Sequence, residues 1–458
     1  MNFLLFCFSL LLFLFNSIYS QEIDQRLYDL SKKIVRVSLI DNKGYKWLEE
    51  LCKIGPRLSG SENSYKAIYW ARDKMKEAGF DSVWLQPVMV PNWKRGKIEK
   101  ATIIESKKYK GRNLNITAFG GSIGTGENGI SGEVIPVKDF NELKLKGDLV
   151  KGKIVFFNRP LDTGEVEPFA GYGGAVDQRS RGAIEAAKYG AIGVIVRSIT
   201  TRHDNVPHTG VMYYVDSLPK IPSAAIGYQD ADFLKEALDE EPNLKINFIL
   251  SCKTYEDTLS YNVIGEIRGS EFPDEIIVVG GHFDSWDKGC GAHDDGAGSV
   301  QSMEVLDLFK RLNFQPKRTI RCVLFIDEEQ RQRGAIEYSR YILEKNQKHI
   351  AAIESDRGGF TPRGFYVDTD SLTLNYLQSF LPYLNLAKID WIRKGGSGVD
   401  ISKIKNARAL FGYVPDSQRY MDFHHSDNDI FEAVHPRELQ LGSAAMAILT
   451  LLISELGL

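Results

Sequence analysis

The sequence predicts an α/β protein interrupted by a β-rich insertion, and three observations carry that expectation. From Tyr261 onward, apolar β-branched runs alternate with amphipathic helical patterns to the end of the chain, the signature of a sheet covered by helices. Between about Gly111 and Thr254 the composition shifts to short strands and turns. Then comes GGHFDSWDKGCGAHDDGAG, Gly280 to Gly298, behind the run Ile276-Ile277-Val278-Val279. That run is short and β-branched throughout, as a strand covered on both faces is, and the chemistry of α/β sheets gathers at such strand ends.

Residues 1–20 hold the apolar run Phe3 to Phe15 followed by Asn16-Ser17-Ile18-Tyr19-Ser20, the pattern of a secretory signal peptide, although its first residues carry no Lys or Arg. An uncleaved anchor is the alternative, but the run falls short of the roughly twenty residues that span a bilayer. A secreted protein is therefore expected, with no stable membrane anchor. Residues 21–44 are charged with a helical apolar pattern and read as either a propeptide or an N-terminal arm. Helices are expected over Tyr45 to Ile54 and Ser64 to Ala78, with the loop GPRLSGSE between them. Strands follow over Asp81 to Val90 and Lys100 to Ser106.

The expected division is a main domain of residues 45–110 and 255–458 with an inserted domain of 111–254. Within the insertion, strands are expected at Gly132–Val137, Gly152–Phe157, Ala191–Arg197, Pro222–Ile226 and Leu244–Leu250. Helices are expected at Gln178–Tyr189 and Tyr228–Leu238. Asn115-Ile116-Thr117 is a glycosylation sequon and implies a surface position for Asn115. Four cysteines remain after the leader, Cys52, Cys252, Cys290 and Cys322, too few for a disulfide framework, so one disulfide or none is expected. The C-terminal apolar run Ala444 to Ile453 reads as a core helix begun by Pro436. Lys and Arg number 57 against 60 for Asp and Glu, a formal charge of -3, and no basic run stands out. Neither composition nor charge points to a nucleic-acid partner.

His282 and Asp284 are two apart, so an extended backbone points them the same way, as suits a ligand imidazole oriented by a carboxylate. Asp294-Asp295 precedes a helix over Gly296 to Leu312; helix caps are the plain explanation of such carboxylates. The strand Arg321 to Ile326 ends in Asp327-Glu328-Glu329, where one carboxylate can ligate metal while its neighbour faces substrate as a base. Ala351-Ala352-Ile353 leads to Glu354-Ser355-Asp356, and Asp356 is a candidate ligand or a turn former. In Phe423-His424-His425-Ser426-Asp427-Asn428-Asp429 two adjacent histidines on an extended backbone point opposite ways, so one ligand is expected. Together these give five ligands in which one aspartate can bridge two ions. His203 and His208 share a loop with Asp204, which reads as a solvated loop.

As a set, GPRLSGSE, QRSRGAIEAAKYGA, PHTG, the Gly280–Gly298 stretch, DEEQ, ESDRG and HHSDND resemble the co-catalytic zinc exopeptidases of aminopeptidase-like fold. The resemblance spans nearly the whole chain after the leader. It implies a mixed β-sheet sandwiched by helices, with an inserted β-rich protease-associated domain. It further implies two zinc ions per subunit: His282 and Asp356 on one, Glu329 and His425 on the other, and Asp294 bridging. His425 is chosen by matching the family's His-Ser/Thr-x-x-Asp pattern, which ends at Asp429. Glu328 matches the catalytic glutamate and Asp284 the carboxylate behind the first histidine, and the Asp294-Asp295 peptide is expected to be cis. This chain departs from the family at Gln330-Arg331-Gln332-Arg333, Arg357 and Ile430, which adds cationic side chains near the site. The implied activity is hydrolysis of dipeptides or short peptides with free termini, by a homodimer, outside the cell or in a lysosomal or secretory compartment. Tyr420 and the loop around Ser397 are candidate contacts for the substrate terminus. The competing readings are a receptor-like ectodomain without activity and a single-zinc glutaminyl cyclase.

Overall fold

A computed structural model describes residues 23–458, and the expected signal peptide lies outside the described residues. Three helices come first among the described residues: α1 Gln25–Asp41, α2 Lys43–Ile54 and α3 Glu62–Glu77. Sixteen strands follow in two sheets. The first sheet is built from β1 Ser82–Lys94, β10 Lys253–Ile267, β11 Phe272–His282, β12 Arg318–Phe325, β13 Lys348–Glu354, β14 Pro362–Asp368, β15 Trp391–Lys394 and β16 Ala409–Pro415. Its order is β1-β10-β12-β11-β13-β16-β14-β15. The neighbours β12, β11, β13 and β16 run parallel, so their carboxyl ends share one edge.

Both faces of this sheet are covered. Ile277 and Val279 pack with Cys322, Leu324 and Ile353 against helices on one face. Ile276 and Val278 pack with Val323, Phe325 and Tyr338 on the other, under α5 Arg333–Glu344. The uninterrupted apolar run is thus the consequence of double burial, each large side chain contributing about 1.5–3 kcal/mol. The first face carries α4 Ala297–Arg311 and α6 Pro436–Leu456. Pro436 sits in the first turn of α6, and this helix is buried in the core although it is long and apolar enough to cross a membrane.

Helix α1 joins the same core. Leu27 and Ile34 are fully buried, the Ser38 hydroxyl donates to Gln440 O at 2.9 Å, and the Gln440 amide returns a bond to Ser38 O at 2.8 Å. Within the segment read as propeptide or arm, Gln25–Asp41 is thus a helix packed into this core.

The second sheet comprises β2 Glu99–Glu105, β3 Asn113–Leu114, β4 Ile116–Ala118, β5 Ile130–Val137, β6 Ile154–Phe157, β7 Gly193–Arg197, β8 Ser223–Ile226 and β9 Lys245–Leu250. Its order is β3-β2-β9-β5-β6-β7-β8-β4. It begins earlier than the composition shift at 111, because β2 pairs antiparallel with β9 from Glu99 against Leu250. The helix expected over Gln178–Tyr189 is two short ones, Asp177–Ser180 and Gly182–Ala187, broken at Arg181. Asn115 is exposed between β3 and β4, its amide donating to Asn205 O at 2.7 Å. All four described cysteines are free thiols.

Candidate metal centre

Four of the five ligand candidates come from the carboxyl ends of the four parallel strands or the loops that follow: His282 closes β11, Glu329 with Glu328 beside it follows β12, Asp356 follows β13, and His425 with His424 beside it follows β16 after the turn Ser417–Asp422. Such an edge is where α/β sheets place their chemistry. Gly281 allows the approach of Asp295, since a Cβ there would meet the Asp295 carboxylate and lie 2.9 Å from Ser355 O. The turn after β11 then brings Asp294 back over the strand ends, and its peptide to Asp295 is cis.

Asp294 faces two ways. Its Oδ1 lies 3.1 Å from His282 Nε2, and Asp356 Oδ1 lies 3.4 Å from the same nitrogen. Its Oδ2 lies 3.3 Å from His425 Nε2, which is 3.0 Å from Glu329 Oε2. The His282 tautomer is set by Nδ1, which donates to the Asp284 carbonyl at 2.9 Å and leaves Nε2 free to ligate.

That last contact adds to the sequence reading of Asp284, which places its carboxylate behind His282. Its carboxylate stands 3.9 Å from His282 Nδ1 and instead accepts from the Glu328 amide at 3.1 Å. The chain turns directly after His282, so the carbonyl passes beneath the ring while the carboxylate reaches across to β12. Asp284 therefore anchors the backbone of Glu328.

A correction concerns the two histidines. The backbone is left-handed at His425, with φ of 60°, so the rings stack 3.5 Å apart instead of pointing opposite ways. His424 Nε2 reaches Asp294 Oδ2 only at 3.8 Å, so His425 is the better placed of the pair. His208 is buried against this segment, its Nδ1 donating to His424 O at 2.6 Å, and is not the solvated loop residue expected.

The electrostatics ask for cations. Burial pushes Glu329 well above the usual carboxylate range, with Asp294 and Glu328 adding to it. Glu328 is pushed up to about 8 by burial and by Asp356, Asp284 and Asp294, against the pull of His282. Burial alone would raise Asp294 too, but its bond to His282 and the nearby His425 and His424 hold it low. Asp294 Oδ2 and Glu329 Oε1 are buried with no hydrogen-bond partner. Unpaired buried oxygens at several kcal/mol each are sustained when a metal takes their lone pairs, and imidazole with carboxylate is a zinc donor set. The residues present fit the ion.

Several residues that hold or face this site escaped sequence reasoning. Fully buried Arg57 donates to Phe283 O at 2.8 Å, Cys290 O at 2.6 Å and Gly291 O at 2.9 Å, shaping the loop that delivers Asp294. Its only signal was an arginine inside the glycine-flanked loop GPRLSGSE. Asp429, legible in the sequence only as the end of the family pattern, clamps the next turn, accepting from His293 N at 2.8 Å and Asp294 N at 3.1 Å. The cleft above the metal candidates, about 1010 Å³ with its open mouth, is lined by Glu328, Arg331 and Tyr420 from the first sheet's side. Phe169, Tyr172, Arg179, Val211 and Tyr213 line it from the second. Of the two candidate substrate contacts, Tyr420 is at the cleft, stacked on Phe169 at 5.1 Å, whereas Ser397 is buried outside the lining, which Val399 reaches instead.

Parallel strand ends carrying imidazoles and carboxylates around a doubly facing aspartate define a metal-dependent hydrolase with the aminopeptidase-like fold. The profile of peptidase family M28 matches residues 262–449. Carboxypeptidase Q of Bos taurus is 34% identical over 444 residues, covering 95% of this chain and 92% of the relative. Its Xenopus laevis counterpart is 36% identical over 96% of this chain and 94% of its own. The crystal structure of a peptidase M28 precursor from Shewanella amazonensis superposes with a TM-score of 0.89 at 32% identity, covering 94% of this chain and 97% of that one. A zinc aminopeptidase from Bacillus subtilis shares the fold at 21% identity, with a TM-score of 0.64 over 89% and 93% of the two chains. This chain belongs to peptidase family M28. It is a zinc-dependent exopeptidase.

Proposed function

We propose that the protein holds two zinc ions per subunit and hydrolyses dipeptides and short peptides with free termini, as a carboxypeptidase Q-type enzyme. The observation that carries this is the double face of Asp294, 3.1 Å from His282 on one oxygen and 3.3 Å from His425 on the other. His282 and Asp356 would hold one ion and Glu329 and His425 the other, with Asp294 shared between the two sets. Zinc supplies Lewis-acid activation of the scissile carbonyl and of the attacking water. Glu328 accepts the proton of that water and delivers it to the leaving amine, a contribution of about 10²- to 10⁴-fold. Asp284 positions Glu328 through its amide.

Terminus recognition falls to Arg179. Its guanidinium lines the cleft, its Nε is buried without a partner, and its Nη1 lies 3.4 Å from His425 Nδ1. When His425 ligates through Nε2, Nδ1 carries the proton, so two donors face each other and no bond forms there. A carboxylate terminus of the peptide answers that unpaired cation. Tyr420 walls the same cleft. The reading includes a secreted or lysosomal homodimer, with residues 111–254 as a protease-associated insertion, cleavage of the leader near Ser20 and a glycan on Asn115.

The test is metal content per chain beside turnover of a dipeptide panel, for wild type and Glu328→Gln. Two zinc ions in both, with turnover lost in the variant by about 10²-fold or more, is the expected result. One zinc per chain in the wild type would sink the dinuclear reading.

A further inference from the structure

Three arginines, Arg331, Arg333 and Arg357, fall near the site, and the structure separates them. Arg333 is already paired, donating to Asp257 Oδ2 at 2.6 Å and Met89 O at 3.1 Å. Arg357 lies over Phe169 at 4.7 Å and Tyr366 at 5.7 Å, outside the lining of the cleft. Arg331 alone of the three lines the cleft. Its backbone is fixed by a tight turn in which the amides of Arg331 and Gln332 both donate to Asp327 O, at 3.2 and 2.5 Å. Its guanidinium stands 4.9 Å from the ring of Tyr213, a residue of the second sheet's side held by a bond from its amide to Ser180 O at 3.1 Å. Among the described residues no carboxylate pairs with Arg331, which is exposed at the mouth.

We infer that Arg331, held against Tyr213, is a specificity-determining residue that receives an acidic side chain of the substrate, so that acidic dipeptides are preferred. This rests on the peptidase reading above. In the loaded site Asp294, Glu329 and Asp356 face cations and Glu328 faces the attacking water, so the protein offers Arg331 no anion of its own. Arg179 matches a terminal carboxylate and Arg331 a second one. The guanidinium fork suits a carboxylate, and the Tyr213 face preorganises it at little entropic cost. Position at the rim gives a modest effect, expressed in binding more than in the chemical step.

The experiment compares kcat and KM for Ala-Glu against Ala-Gln and for Glu-Ala against Gln-Ala, at low and high salt, in wild type, Arg331→Gln and Arg331→Glu. Wild type should prefer the acid of at least one pair by about five-fold in kcat/KM, mainly through KM, and lose part of that preference in high salt. Arg331→Gln should abolish the preference while leaving the amide substrates unchanged, and Arg331→Glu should reverse it. Competitive inhibition by free glutamate over glutamine should shift in parallel, a readout independent of turnover. Equal rates on acid and amide in the wild type, or an equal loss on both in Arg331→Gln, would overturn the inference while leaving the peptidase intact. Absence of turnover on every dipeptide would instead remove the reading on which it rests.

Discussion

The two ends of the first sheet both gather charge, and they differ in how that charge is satisfied. At the amino edge, Arg321 donates to Glu266 at 2.7 Å, Tyr338 at 3.0 Å and Gln347 at 2.8 Å, while Arg318 and Lys348 share Glu275 at 2.6 Å each. A groove of about 1180 Å³ lies there, as large as the cleft at the other end. At the carboxyl edge, oxygens of Asp284, Asp294, Glu329 and Asp400 are buried without partners. Cavity size does not tell the functional end from the structural one, and unpaired charge does. Completed ion networks rigidify, whereas uncompleted ones persist where an ion or substrate supplies the missing partner.

If that contrast is right, the carboxyl edge depends most on the cation that holds it open, Arg57. Arg57→Ala leaves the carbonyls of Phe283 and Cys290 without a partner and takes from Gly291 O one of its two donors, the other being Gly296 N at 3.0 Å. The expected loss is about 3–5 kcal/mol of stability, seen as a lower denaturant midpoint, with zinc bound about 10- to 100-fold more weakly. Unchanged stability and metal content would mean the loop holds itself and the contrast is misplaced. Arg179→Gln comes next. It should raise KM for dipeptides with a free carboxylate by about 10- to 100-fold, matching a charged hydrogen bond of about 1.5–3 kcal/mol, and leave kcat close to wild type. Dipeptide amides should be insensitive. A drop of the same size on the amides would make Arg179, whose guanidinium lies 5.4 Å from the Tyr172 ring, a structural support of the cleft wall and not a reader of the terminus.

Legibility in the sequence follows the same division. The strands were readable because Ile276 to Val279 and Arg321 to Ile326 are buried on both faces and bounded by glycine or acid, which leaves periodicity and composition in agreement. The ligand candidates were readable because a metal cage needs particular residue types at strand ends. What stayed hidden depends on backbone direction or on contacts across long stretches of chain. His425 adopts a left-handed backbone that no neighbour announces, Asp284 exchanges the roles of its carbonyl and carboxylate, and Arg57 acts on carbonyls more than 220 residues away. The start of the second sheet was missed for a related reason: β2 matches its partner β9 only through pairing, not through any change in composition.

The amino edge makes the finest prediction, one of acid sensitivity without activity. His349 is buried there, with Nε2 2.9 Å from the Tyr338 hydroxyl, and burial together with Arg321 pushes its pKa down to about 3. An imidazole depressed in this way is neutral in the fold but takes a proton in the unfolded chain once pH falls below about 6.5. The unfolded state then binds more protons, so this residue's contribution to stability is full above about pH 6.5 and declines steadily as pH falls toward 3. At pH 5 the loss is up to about 2 kcal/mol. His208, pushed down to about 4 by burial on the second sheet's side, adds the same sign. His349→Gln removes one such proton, so its melting temperature should fall less than that of the wild type between pH 7 and pH 5, with zinc content and turnover at pH 7 unaltered. Parallel melting curves for the two proteins across that range would show that His349 protonates without unfolding, and that the amino edge is less tightly closed than its completed ion network implies.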